Sequence, residues 1–162
     1  MLARLTAVAG ALLMLAACSS TPDTAPGGPP GPGGPGGLGA SRFGPGSQQD
    51  LAATAGDRIF FAFDRADISA EAQQILQRQA EWLRRYPNVS VSIEGHCDER
   101  GTREYNLALG ERRAQAAKNV LVALGIPASR LSTISYGKER PAVPGSSEEA
   151  YAQNRRAVTT VN

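Results

Sequence analysis

The sequence predicts an α+β domain over residues 57–162, with one sheet, two main helices packed on one face and a short helix before the last strand. Three observations predict it. Val89-Ser-Val-Ser-Ile-Glu94 alternates apolar and polar residues, the period of a strand with one buried face. Two longer stretches, around Ala72–Leu83 and Leu107–Leu124, repeat apolar residues at helical spacing. Gly and Pro fall between the periodic segments, where the chain must turn. Strands alternating with helices place those helices against a single sheet.

Arg58 to Phe63 is a short apolar and aromatic run, the pattern of a strand buried on both faces. Asp64 to Ile68 is a loop. Ser69 is a good N-cap, and Glu71 places an anion in the first turn, where the helix dipole favours it. Ala72, Ile75, Leu76, Ala80 and Leu83 then form an apolar face, and Pro87 stops the helix. The strand Val89–Glu94 turns Val89, Val91 and Ile93 to one side. From about Arg103 or Tyr105 to Leu124 a second helix carries Leu107, Gly110, Ala114, Ala117, Leu121 and Leu124 in one stripe. A glycine inside a helix costs about 1 kcal/mol relative to alanine, which close packing on the sheet would explain for Gly110. Gly125 suits the helix end and Pro127 prevents continuation. Leu131–Tyr136 reads as a strand, Lys138–Ser147 as a loop, Ser147–Asn154 as a short helix and Arg156–Val161 as the last strand.

Upstream of this domain the composition changes. Pro22 to Gly46 holds ten Gly and seven Pro in twenty-five residues. Such a segment cannot bury enough surface to offset its ordering entropy, so residues 18–56 read as a disordered tether. About 37 such residues span roughly 35 Å as a coil and about 110 Å when extended. Residues 1–17 read as a signal peptide, with Arg4 in the basic region and Leu5–Ala16 as an apolar run shorter than the roughly 20 residues a bilayer needs. Leu15-Ala16-Ala17-Cys18 resembles the bacterial lipobox. That resemblance implies that Cys18 begins the mature chain and carries lipid, and Ser19 in second place implies delivery to the outer membrane. Several acyl chains on one residue hold a protein on a membrane, whereas one chain binds only marginally. Cys97 then has no partner for an intramolecular disulfide.

The 17 Lys and Arg against 15 Asp and Glu leave no basic run that could track a phosphate backbone, so nucleic acid is not an expected partner. Catalysis is not expected either. Glu94, His96 and Asp98 share a face of an extended chain, but the domain has one His and one Cys, too few for the usual zinc ligand sets. His96 and Cys97 are adjacent and would point to opposite faces, so they cannot easily form a nucleophile pair. His96 reads as a hydrogen-bonded turn residue and Cys97 as a small half-buried one. No cofactor is expected.

The strand-to-helix corner Glu94–Ala114 is the candidate site. Asp98 follows the strand, and Arg113 lies two to three turns into the next helix, to one side of its apolar stripe. A carboxylate and a guanidinium on one crevice can grip a zwitterion, and crevices beyond strand ends are usual ligand positions. The same two residues can equally form a structural ion pair, and spacing alone leaves both readings open.

Five ordered blocks bear on that choice: Phe61-Ala-Phe-Asp64, Glu94-Gly-His-Cys-Asp-Glu-Arg-Gly-Thr102, Tyr105-Asn-Leu-Ala-Leu-Gly-Glu-Arg-Arg-Ala114, Ser135-Tyr-Gly-Lys-Glu139 and Asn154-Arg-Arg-Ala-Val158. Together they resemble the OmpA-like peptidoglycan-binding domain family. The resemblance implies a βαβαββ mixed sheet and binding to peptidoglycan through the meso-diaminopimelate of a non-crosslinked peptide stem. It implies that Asp98 takes the ammonium and Arg113 the carboxylate, with Phe63, Asp64, Thr102, Tyr105 and Leu109 walling the pocket. Cys97 departs from the Thr or Ala expected there and leaves a thiol beside the key aspartate. With a lipobox and tether in front, the chain is similar to the family's lipid-anchored members. Those work with TolB and other Tol proteins at division and tie the outer membrane to the wall. A peptidoglycan-cleaving amidase or hydrolase is the alternative, as is the binding domain of another envelope complex such as a flagellar stator.

Overall fold

In the computed structural model, residues 44–162 are described. The signal peptide, Cys18 and the tether as far as residue 43 lie outside the described residues. The alternating segment forms strand β2, Val91–His96, starting two residues later than the pattern suggests and running two further. Val91 and Ile93 are fully buried beneath the helices. Around β2 stand β1 (Arg58–Phe60), β3 (Leu131–Gly137) and β4 (Arg156–Val161), in the order β1-β4-β2-β3. β2 pairs in parallel with β3 and antiparallel with β4, and β4 pairs antiparallel with β1, so the sheet is mixed.

The helices named by sequence are present: α2 (Ala70–Arg85), α3 (Arg103–Ala123) and α4 (Glu148–Asn154). Ser69, Thr102 and Ser147 cap them, each side chain accepting a bond from a first-turn amide. Gly125, with φ of 91°, ends α3 in the left-handed conformation that favours glycine. Leu76, Leu83, Leu121, Ile59, Val91 and Ile93 meet in one core.

Gly110 has the role its position in the stripe predicts. A Cβ on Gly95 of β2 would stand 1.8 Å from the Gly110 carbonyl oxygen, so α3 lies directly on the sheet. Ser135 of β3 fixes the contact from the side, its hydroxyl donating to the Leu107 carbonyl at 2.7 Å. One turn after Gly110, Arg113 comes to the end of β2.

Two expectations need correction. The run Arg58–Phe63 is not a strand buried on both faces. β1 has three residues, buried only at Ile59, and pairs on one side only; Phe60 and Phe63 are exposed. β1 stands at the edge of the sheet, and beyond it the Phe61 amide still donates to the Arg155 carbonyl at 2.9 Å before the chain enters the loop. The folded part also begins before residue 57. Gln48–Thr54 forms a further helix, α1, capped by Ser47, with Leu51 fully buried. The Trp82 indole N–H donates to Asp50 Oδ2 at 3.0 Å, and Gln48 exchanges bonds with Thr159 and Val161 of β4. Those contacts, and not local propensity, order seven residues that adjoin the Gly/Pro segment. A fragment starting at residue 57 is therefore expected to be less stable than one starting at residue 44. The loss is about 3 kcal/mol, from one buried leucine and the indole bond, and urea melts of the two fragments read it.

Candidate ligand pocket

Three segments converge beyond the end of β2. The loop after β1 brings Phe63 and Asp64, the turn after β2 brings Cys97, Asp98 and Arg100, and the first turns of α3 bring Tyr105, Asn106, Leu109 and Arg113. With Gly101 they line a pocket of about 160 Å³.

Arg113 is its most unusual member. Its side chain is among the largest in the protein to be fully buried. Nε donates to the Arg65 carbonyl at 2.8 Å, Nη1 to the His96 carbonyl at 2.8 Å and Nη2 to the Ala62 carbonyl at 3.2 Å. The Phe61 ring lies 5.1 Å from the guanidinium carbon. A guanidinium has five N–H groups; these bonds engage three of them, and the Cys97 sulfur is a further neighbour of the group. Among the described residues no carboxylate forms an ion pair with it. Burial pulls its pKa below the ordinary value, and the nearby Cys97 and Asp98 offset this in part. An arginine stays charged even so. The pocket floor is thus a buried cation without a bonded counter-charge, an arrangement that favours an anion.

Asp98 is buried too, but its carboxylate is engaged. Oδ1 accepts the Arg100 amide at 3.1 Å, and Oδ2 lies 2.5 Å from Arg100 Nη2 and 3.4 Å from Arg155 Nη1. Burial pushes this carboxyl up, yet the bonds and charge of Arg100, aided by Arg155, outweigh it and hold the pKa below the usual value. The structure therefore replaces the Asp98–Arg113 ion pair that spacing left open. Each residue has other partners, and both face one cavity.

Six of the seven residues expected to bind line the pocket: Phe63, Asp64, Asp98, Tyr105, Leu109 and Arg113. The Tyr105 hydroxyl donates to the Asp64 carboxylate, joining the rim across its mouth. Asp64 adopts a φ of 57°, unusual for a residue other than glycine. Thr102 does not line the cavity. It caps α3 by accepting the Tyr105 amide at 3.2 Å, and so sets the direction of the helix that carries Tyr105, Leu109 and Arg113.

Sequence reading missed Arg100, Asn106 and Arg155. Asn106 donates to the Arg100 carbonyl at 2.7 Å and the Thr102 carbonyl at 3.0 Å, closing the turn. Its place within the Tyr105–Ala114 block was the available signal. Arg155 comes from the far end of the chain, and the antiparallel β2–β4 pairing, with Gly95 opposite Ala157, brings it beside Asp98. Cys97 is buried, not half-buried, and its thiol donates to the Asn106 carbonyl at 3.3 Å. Burial pushes its pKa up, which leaves little of the thiolate that redox chemistry needs.

His96 is not a hydrogen-bonded turn residue. It ends β2 with its ring buried on the other side of the sheet from α3, 5.5 Å from the Tyr136 ring. Neither ring nitrogen makes a hydrogen bond of good geometry, and the Glu94 carboxylate stands 3.7 Å from Nε2. Burial, then Arg156 and Arg140, lower its pKa to about 4 against a weak opposing contact from the Arg140 backbone. His96 serves the pocket through its carbonyl, bound by Arg113. No group of three His, Cys, Asp or Glu side chains among the described residues could hold a metal ion.

Comparison with known proteins adds to this geometry. Residues 60–155 match the model of the OmpA family. A peptidoglycan-associated lipoprotein of Agrobacterium fabrum is 58% identical over 123 residues, covering 76% of this chain and 70% of that protein. One of Mesorhizobium japonicum is 51% identical over 154 residues, 94% of this chain and 88% of that protein. The crystal structure of the peptidoglycan-associated lipoprotein of Burkholderia pseudomallei is 40% identical with a TM-score of 0.64, and the match covers 65% of this chain and 90% of that one.

The buried imidazole makes stability depend on pH. Between the ordinary value of 6.5 and about 4, the unfolded chain binds a proton at His96 that the folded chain does not. This contribution is complete above pH 6.5 and declines as the pH falls toward 4, with a slope of up to about 1.4 kcal/mol per pH unit. His96→Phe is expected to flatten the dependence in that window, as read from urea melts across the pH series.

Proposed function

The chain belongs to the OmpA family, and from that premise we propose that its pocket binds peptidoglycan through the zwitterionic end of a diaminopimelate stem, without catalysis. One observation carries the reading: Arg113 is a fully buried cation in the cavity lining, bonded to three carbonyls and paired with no carboxylate among the described residues. A carboxylate there would supply the counter-charge, and charge-assisted bonds contribute about 1.5–3 kcal/mol each. Asp98, on the same cavity, is the group for the ammonium. Phe63 and Leu109 offer apolar surface to the aliphatic chain between the two charges, and Tyr105 with Asp64 borders the mouth. Thr102 contributes by orienting α3. The relatives' printed name, which pairs peptidoglycan with a lipoprotein, supports the same ligand.

The rest of the proposal concerns the chain outside the pocket. Cys18 carries lipid and fixes the amino-terminal end in the outer membrane, the Gly/Pro segment spans the gap, and the domain grips the wall. In this role the protein works in the periplasm with TolB and other Tol proteins, in cell division and in keeping the envelope intact.

Asp98→Ala is expected to lower peptidoglycan pull-down at least tenfold, the loss of one charge-assisted contact. Arg113→Lys keeps the buried charge but loses the paired N–H groups, and is expected to weaken binding as much while circular dichroism stays unchanged. Wild-type recovery with both variants would overturn the pocket assignment. Cys18→Ser is expected to leave the domain folded and to move the protein from the membrane fraction to the soluble one.

A further inference from the structure

Asp98, the group proposed for a ligand's ammonium, already holds a cation. We propose that Arg100 occupies the cation subsite of the pocket and that a ligand's ammonium binds by displacing it, which makes Arg100 a specificity-determining residue. This rests on the zwitterion reading above.

The geometry is that of an internal ligand. Arg100 Nη2 lies 2.5 Å from Asp98 Oδ2. Its guanidinium carbon stands 4.0 Å from the Phe63 ring centre and 4.3 Å from that of Tyr151, so the flat cation is held between two aromatic faces. The Tyr151 hydroxyl is fixed in turn by Glu99 at 2.8 Å. Arg155, the other cation on Asp98, is not exchangeable in the same way. It is buried, and its Nε donates to the Phe61 carbonyl at 3.0 Å.

Charge counting shows why Arg100 must move. Asp98 is one carboxylate with two guanidinium partners, and Arg113 adds a third cation to the same cavity. An incoming ammonium would add a fourth against two carboxylates in the lining, Asp98 and Asp64, the second already accepting the Tyr105 hydroxyl. Arg100 is the partner able to leave: its side chain is 34% exposed, and its Nη1 already lies 3.5 Å from the solvent-facing Glu148 carboxylate. Rotation toward Glu148 Oε2, the oxygen not taken by Arg155, which holds Oε1 at 2.8 Å, keeps the guanidinium beside a carboxylate while it releases Asp98.

The exchange has a consequence for specificity. An ammonium alone trades one cation for another at Asp98 and gains little. A ligand that also brings a carboxylate to Arg113 makes new bonds that offset the exchange. Arg100 thus makes the pocket require both charges on one carbon, as the far end of the diaminopimelate side chain has and that of the lysine side chain, an ammonium alone, lacks.

The test is calorimetry on residues 44–162 with two synthetic stem tripeptides blocked as C-terminal amides, one ending in meso-diaminopimelate, which keeps its distal carboxylate, and one in lysine. Arg100→Ala, and Arg100→Gln as a variant that keeps a planar side chain, are expected to bind the diaminopimelate peptide about tenfold more tightly, a partly exposed charge-assisted contact having been removed. Binding of the lysine peptide should become measurable in both. Methylguanidinium at millimolar concentration should compete with the peptide in Arg100→Ala and not in the wild type. Unchanged or weaker binding by both variants overturns the proposal. Asp98→Ala separates the two claims. If it abolishes binding while the Arg100 variants gain nothing, only the displacement is wrong. If it binds as the wild type does, the zwitterion reading itself fails.

Discussion

A single buried guanidinium ties the pocket to the fold. Arg113 reaches from α3 to the carbonyls of Ala62 and Arg65 in the loop after β1 and to that of His96 at the end of β2. Two of these carbonyls lie in the loop after β1 and the third at the last residue of β2, and together the bonds set the distance between loop, strand and helix. The same side chain lines the cavity as a cation with no carboxylate paired to it among the described residues, the feature the proposed ligand would use. Holding the walls and offering charge to a ligand are therefore one interaction. It depends on the glycine pair beneath it, because only the contact of Gly95 with Gly110 lets α3 come low enough.

Much of this was legible in the sequence. The serine and threonine caps, the Gly110 stripe and the alternation around Ile93 follow from rules of spacing, and the sheet they build is the mixed one expected. The pocket lining followed because the blocks around Asp64, Asp98 and Arg113 fall at the ends of those elements. What was hidden depends on partners distant in sequence. α1 has a single large apolar residue, Leu51, and its order comes from Trp82 and β4. Burial of Arg113 could not be read from a helix on which arginine usually marks the wet face. Arg155 as a partner of Asp98 needs the antiparallel β2–β4 pairing, which periodicity does not give, whereas Arg100 is a local partner two residues away.

The reactive-looking residues turn out to support the frame. His96 and Cys97 are buried beside the site, the one neutral and the other protonated. Cys97 is a small side chain in the pocket wall, bonded to the α3 backbone. The chemistry proposed for the site is charge recognition by buried cations and the Asp98 carboxylate they share. Such a device suits a protein whose proposed task is to hold a polymer and let it go.

The most direct measurement is a crystal structure of residues 44–162 with the diaminopimelate tripeptide bound. The account predicts the terminal carboxylate within hydrogen-bond distance of Arg113, the ammonium on Asp98, and Arg100 turned toward Glu148. A peptide seated outside this cavity, or a carboxylate held by surface residues while Arg113 keeps only its three carbonyls, would contradict it.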